Sequence, residues 1–94
     1  MDYGTTNNNN VIKCWTNGCA AESHTGNLKT DGHELWSYDL KIATYQAGQT
    51  IVFDYTAPAG HMRSVTTSTH VNKAKPYANV VMNPKAAKAA NLTN

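Results

Sequence analysis

The dipeptide Asp31-Gly32 sits between two runs of strand-like sequence, and no other feature constrains the fold as much. Asp-Gly tolerates the positive φ of a type I′ turn, whose twist matches that of the strands it joins. Pairing outward sets Thr30 against His33, Lys29 against Glu34 and Leu28 against Leu35, so that opposite charges and two leucines meet. From Glu34 to Thr44 the chain alternates with period two. Trp36, Tyr38, Leu40 and Ile42 share one face, while Ser37, Asp39 and Lys41 share the other. That pattern describes a half-buried antiparallel strand. Leu28 and Leu35 fall on the face opposite Trp36, which calls for a bulge or strong twist nearby.

Further strands flank this hairpin. Val11-Ile12-Lys13-Cys14-Trp15 reads as a strand entering a second tight turn at Asn17-Gly18. If so, Cys14 and Cys19 lie diagonally across that hairpin, where a disulfide is sterically allowed. The chain turns at Gln46-Ala47-Gly48-Gln49, and Ile51 to Tyr55 forms the next strand. A turn at Ala57-Pro58-Ala59-Gly60 then leads to a β-branched strand from His61 to Thr67. Ser68 or Thr69 caps a short helix through Lys75, interrupted at Pro76, and Asn83-Pro84 starts a second short helix. Residues 1–10, ending in four asparagines, have no periodicity and are expected to form a flexible arm. Residues 84–94 are expected to be a weakly held tail or helix.

The 94 residues suffice for a single domain spanning 1–94. With two Trp and five Tyr but a net charge of only +2, the composition is not that of a disordered chain. The expected class is α+β: a small twisted antiparallel sheet of about five strands with one short helix after residue 68. There is no apolar run of membrane-spanning length and no charged-then-apolar leader pattern, so a cytoplasmic chain with reduced thiols and no membrane partner is expected.

Charged residues are scarce at 15 %, against ~25 % in ordinary domains, and they are unevenly placed. Residues 1–40 set Lys13 and Lys29 against Asp2, Glu22, Asp31, Glu34 and Asp39, a balance of −3. Residues 41–94 set Lys41, Arg63, Lys73, Lys75, Lys85 and Lys88 against Asp54 alone, a balance of +5. A basic half without compensating acid attracts polyanions, because each phosphate contact releases counterions. The expected nucleic-acid-binding residues are therefore Arg63, Ser68, Thr69, His70, Lys73, Lys75, Lys85 and Lys88, with backbone donors at the helix cap assisting.

Other chemistries have thinner support. Cys14, Cys19, His24 and His33 offer zinc-ligand types, but their spacing is unlike that of structural zinc sites. Hydrolytic chemistry would recruit His24, His33, His61 or His70 with Ser64, Ser68, Cys14 or Asp39, yet no nucleophile elbow, phosphate loop or HExxH helix is present. A nuclease using His61, His70 and Lys73 stays open as an alternative. Trp36, Tyr38, Tyr45, Phe53 and Tyr55 could stack bases, although core packing has first claim on aromatics in so small a domain. Tyr45 and Tyr77 are the two expected to stay accessible.

Two segments carry a resemblance. Leu35-Trp36-Ser37-Tyr38 followed by Ile42-Ala43, and then Ser64-Val65-Thr66-Thr67-Ser68-Thr69-His70, resemble a strand and a hydroxyl-rich segment of short uncharacterised tailed-phage proteins. The likeness spans roughly residues 33–75 and implies a viral origin and a host cytoplasm. It brings no activity with it. The leading expectation is a non-enzymatic binding module, without cofactor or metal, that contacts nucleic acid through its basic C-terminal half. The alternatives are an inhibitor that binds a host protein and a small zinc- or histidine-dependent nuclease.

Overall fold

The computed structural model describes residues 5–56 and 64–92. In chain order they form β1 (Thr5–Thr6), α1 (Asn8–Asn17), β2 (Ala21–Ser23), β3 (Leu28–Thr30), β4 (Glu34–Ser37), β5 (Leu40–Gln46), β6 (Gln49–Phe53), α2 (Val65–Ala74), a 3-10 turn (Lys75–Tyr77), β7 (Val80–Met82) and α3 (Pro84–Ala89). The class is α+β as expected, but the sheet has seven strands rather than about five and is mixed. Spatial order follows chain order, with an antiparallel meander from β2 to β6 and parallel pairs at both ends, β1 with β2 and β6 with β7. Each parallel pair needs a crossover, which α1 supplies at one end and α2 with its 3-10 turn at the other. Four antiparallel steps leave β2 and β6 pointing the same way, so both crossovers step in the same sense between like-directed strands. The right-handed rule then puts both helices on one face of the sheet. They are found there, packed against each other, with α1 on β2, β3 and β4 and α2 on β4 and β6.

The helix α1 replaces the expected cysteine hairpin. Val11, Ile12 and Trp15 are fully buried on one helical stripe, and the indole N–H donates to His33 O at 3.0 Å. The asparagine run, expected to be an arm, starts the helix instead: Asn7 Oδ1 accepts the Asn10 amide at 2.9 Å, the best-favoured N-cap chemistry. Gly18, at φ 78°, ends the helix as its left-handed residue. The second helix also starts earlier than the expected cap at Ser68 or Thr69. Ser64 is the N-cap, accepting from Thr67 N at 3.0 Å, and residues 65–67 are helical rather than strand. The rest of that expected strand, 61–63, lies outside the described residues, as does the turn at 57–60.

The central hairpin forms in a different register. The chain pairs Thr30 with Leu35, Lys29 with Trp36 and Leu28 with Ser37, two residues out from the expected pairing. Asp31 Oδ1 accepts from the amides of His33 and Glu34, and Thr30 Oγ1 accepts from Gly32 N and donates to Glu34 O. These bonds favour a loop over 31–34 rather than the two-residue turn. The long alternating strand is broken as well: Tyr38, at φ 56°, and Asp39 turn the chain back between β4 and β5. Ser37 pairs with Leu40 and Trp36 with Lys41, whereas Leu35 pairs with Ala43, so Ile42 is an extra residue and a bulge lies beside Trp36. The Ala47-Gly48 turn forms where the sequence places it, with φ of 55° and 77°.

The sheet has an apolar layer on each side. Toward α1 and α2 face Ala21, Leu28, Leu35, Ala43 and Val52, packed with Val11, Ile12, Trp15, Val71 and Ala74. On the other face Trp36, Glu34 and Lys41 share a side with Thr44, Ile51 and Phe53. Asn83 caps α3 as expected, its side chain accepting from Lys85 N at 2.8 Å. The chain beyond α3 folds back so that Lys41 Nζ donates to Leu92 O. This end of the chain therefore lies on the face opposite α1 and α2.

Candidate functional site

On the helical face the polar outer stripes come from both helices. Asn9, Lys13 and Asn17 recur at four-residue intervals along the exposed side of α1. Thr69 and Lys73 recur likewise on α2, with Asn72 beside them, all exposed. Across α1, α2 and the 3-10 turn the charged residues are Lys13, Lys73 and Lys75, and none of the described residues in these elements is a carboxylate. The described acids lie elsewhere. Glu22 and Glu34 are on the far face of the sheet, Asp31 and Asp39 are in turns, and Asp54 follows β6. Lys75 is partly covered and pairs with Asp54 at 3.0 Å.

The expected binding residues therefore divide into groups. Thr69 and Lys73 are exposed together on α2, with Ser68 half-buried beside them. Thr69 Oγ1 also donates back to Val65 O at 3.0 Å. Lys85 and Lys88 are exposed on α3, on the far side of the sheet, and do not join this group. Arg63 and His61 lie outside the described residues. His70 is buried, 2 % exposed, and so does not offer itself to a ligand on this surface. Lys13 was not among the expected residues, because the sequence suggests a strand there and places it in the acidic half. The helical spacing of Val11, Ile12 and Trp15, with Asn9, Lys13 and Asn17 opposite, carries the signal that would have found it.

His70 belongs to a buried polar cluster. Ser37 Oγ lies 2.7 Å from His70 Nδ1 and 3.0 Å from Thr67 Oγ1, joining β4 to α2. Burial, with the nearby Lys73 charge adding to it, pushes the His70 imidazole below its ordinary pKa, so it is neutral at neutral pH. Ser37 comes from the Leu35–Tyr38 segment, and Thr67 and His70 from the Ser64–His70 segment, so the two segments are parts of one structural joint. Outside it, a groove of about 540 Å³ is lined by Ser37, Tyr38, Asp39, Leu40, Ser64, Thr66 and Thr67. Of these, Tyr38 stands exposed. A serine nucleophile needs an accessible hydroxyl and a base oriented by a third group. Ser37 is fully buried, and its hydroxyl is shared with Thr67. The cluster is built as a pin.

The remaining candidates do not assemble. Among the described residues no three His, Cys, Asp or Glu side chains converge into a metal-binding group. Of the aromatics that could stack bases, Phe53 and Tyr55 are buried, Trp36 is half-buried, and Tyr38 and Tyr45 are exposed; Tyr77, expected to stay accessible, is exposed on a different element. No described helix is long and apolar enough to cross a membrane. Compared with protein-family models, curated proteins and solved structures, the chain matches none of them.

Proposed function

We propose that the protein is a non-enzymatic binding module that takes nucleic acid on its helical face. The observation that carries this reading is the charge of that layer: three lysines, exposed Asn and Thr side chains, and no carboxylate among the described residues of its helices. Lysine, asparagine and threonine are donors that position a phosphate backbone without reading sequence. A site of this kind binds weakly and with little sequence preference. On the same reading the protein is a phage accessory factor working in the host cytoplasm, a proposal that rests on the Leu35–Tyr38 and Ser64–His70 resemblance.

Salt dependence tests it. With Lys13 and Lys73 exposed and Lys75 shared with Asp54, two to three phosphates would be neutralised. The slope of log affinity against log salt for a labelled duplex is then roughly −2 to −3. Fluorescence anisotropy that shows no binding at low salt, or binding indifferent to salt, contradicts the proposal. The exposed Tyr38 in the groove favours a second reading, an inhibitor that docks a host protein there. That reading is separated by a tagged pull-down in which a host protein stays bound after nuclease treatment.

A further inference from the structure

We propose that Cys14 and Cys19 form an oxidisable dithiol, which low-molecular-weight disulfides convert into an intramolecular disulfide across the C-terminus of α1. The backbone brings the two residues together. Cys19 N donates to Cys14 O at 2.9 Å and Gly18 N donates to Trp15 O, with Gly18 in the left-handed region. This is the six-to-one and five-to-two pair of a Schellman cap, a motif that brings the side chains of its first and last residues into contact. In most such caps the contact is between apolar groups; here both positions are thiols.

The side chains follow the backbone. Cys19 Sγ donates to Cys14 O at 3.5 Å, so the Cys19 side chain turns back over the residue that carries the other thiol. The neighbouring Cys19 thiol, with burial adding to it, pushes the Cys14 thiol up to about 11. Cys19 is exposed and Cys14 half-buried, which separates their roles. No third His, Cys, Asp or Glu completes a metal-binding group with them among the described residues, so the pair is suited to oxidation rather than to holding a structural metal.

The exchange balances in two steps. The Cys19 thiolate attacks one sulfur of the small disulfide; its S–S bond breaks, one thiolate leaves, and a mixed disulfide forms on Cys19. Cys14 gives up its proton to solvent and attacks the Cys19 sulfur, expelling the second small thiolate. The protein dithiol loses two electrons and the small disulfide gains them, ending as two small thiols. The new bond fixes the cap at Gly18, against whose backbone Gly32 of the β3–β4 loop is packed.

Oxidised glutathione is the probe, with alkylation of remaining thiols and intact-mass measurement on the full chain. The wild type is expected to fall from two alkylatable thiols to none, as a monomer lighter by two hydrogens. Cys14→Ser is expected to stop with one glutathione on Cys19, and Cys19→Ser to react at least about tenfold more slowly. The proposal is overturned if the wild type keeps both thiols, accumulates a stable glutathione adduct, or gives mainly a disulfide-linked dimer.

Discussion

At the scale of single residues, the Ser37–His70 bond decides how α2 sits on the sheet. Replacing His70 with Ala removes that bond inside the buried cluster and leaves the Ser37 hydroxyl with one partner fewer. The expected loss of stability is about 1–3 kcal/mol, measured by denaturant unfolding. The same residue sets a pH dependence. Its folded pKa lies below the ordinary 6.5, so the unfolded chain binds the proton more readily. Stability is therefore full above pH about 6.5 and declines as the pH falls below it, a slope that His70→Gln flattens. Asp31 acts in a separate window. Partial burial raises its pKa, but the amides of Glu34 and His33 outweigh this and hold it below the ordinary 3.8, so its contribution is lost only in stronger acid. The hydroxyl-rich run was legible as a strand-to-helix corner, but the role of His70 was not. Its side depends on where the helix begins. With the cap at Ser64, Thr67, His70, Val71 and Ala74 fall on the inner stripe, and the histidine turns from ligand to pin.

At the scale of elements, the sequence misled where one dipeptide serves two structures. Asn17-Gly18 supports a tight hairpin, but Gly18 equally supplies the left-handed residue that ends a helix. The β-branched Val11 and Ile12 suggested a strand, and burial against the sheet overrode that preference. Similarly, Val65-Thr66-Thr67 looked like strand until Ser64 capped it. The Ala47-Gly48 turn and the Asn83 cap were legible, because local chemistry alone specifies each of them; the central hairpin was legible as a hairpin but not in its register, which the Asp31 and Thr30 side-chain bonds to the loop decide. The short strands β1 and β7 were not, since two or three residues carry no measurable period and are held by their parallel neighbours. The packing of the α1 cap on the β3–β4 loop can be tested at its two glycines. A Cβ on Gly32, at φ 92°, would lie 2.6 Å from Gly18 C and O, whereas a Cβ on Gly18 meets nothing within 4 Å. Gly18→Ala is expected to cost about 1 kcal/mol, the left-handed penalty alone. Gly32→Ala adds a clash with backbone and is expected to lower the melting temperature clearly further.

At the scale of the whole molecule, two like-handed crossovers put α1 and α2 side by side and gather their lysines onto one face. The sequence split its charge by position along the chain, acidic first and basic second. The fold redistributes it by side, bringing Lys13 from the acidic half into the helical layer while Lys85 and Lys88 go to the far face with α3. Charge reversal on each side tests this division most directly. Lys13→Glu with Lys73→Glu, and Lys85→Glu with Lys88→Glu, change the net charge equally, so a general electrostatic attraction would weaken in both. Affinity for a labelled duplex at low salt is expected to fall at least about tenfold in the first pair, because two phosphates would then face carboxylates instead of ammonium groups. In the second pair it is expected to change less than about twofold. Equal losses in the two pairs, or a larger loss from the α3 pair, would contradict the assignment of binding to the helical face.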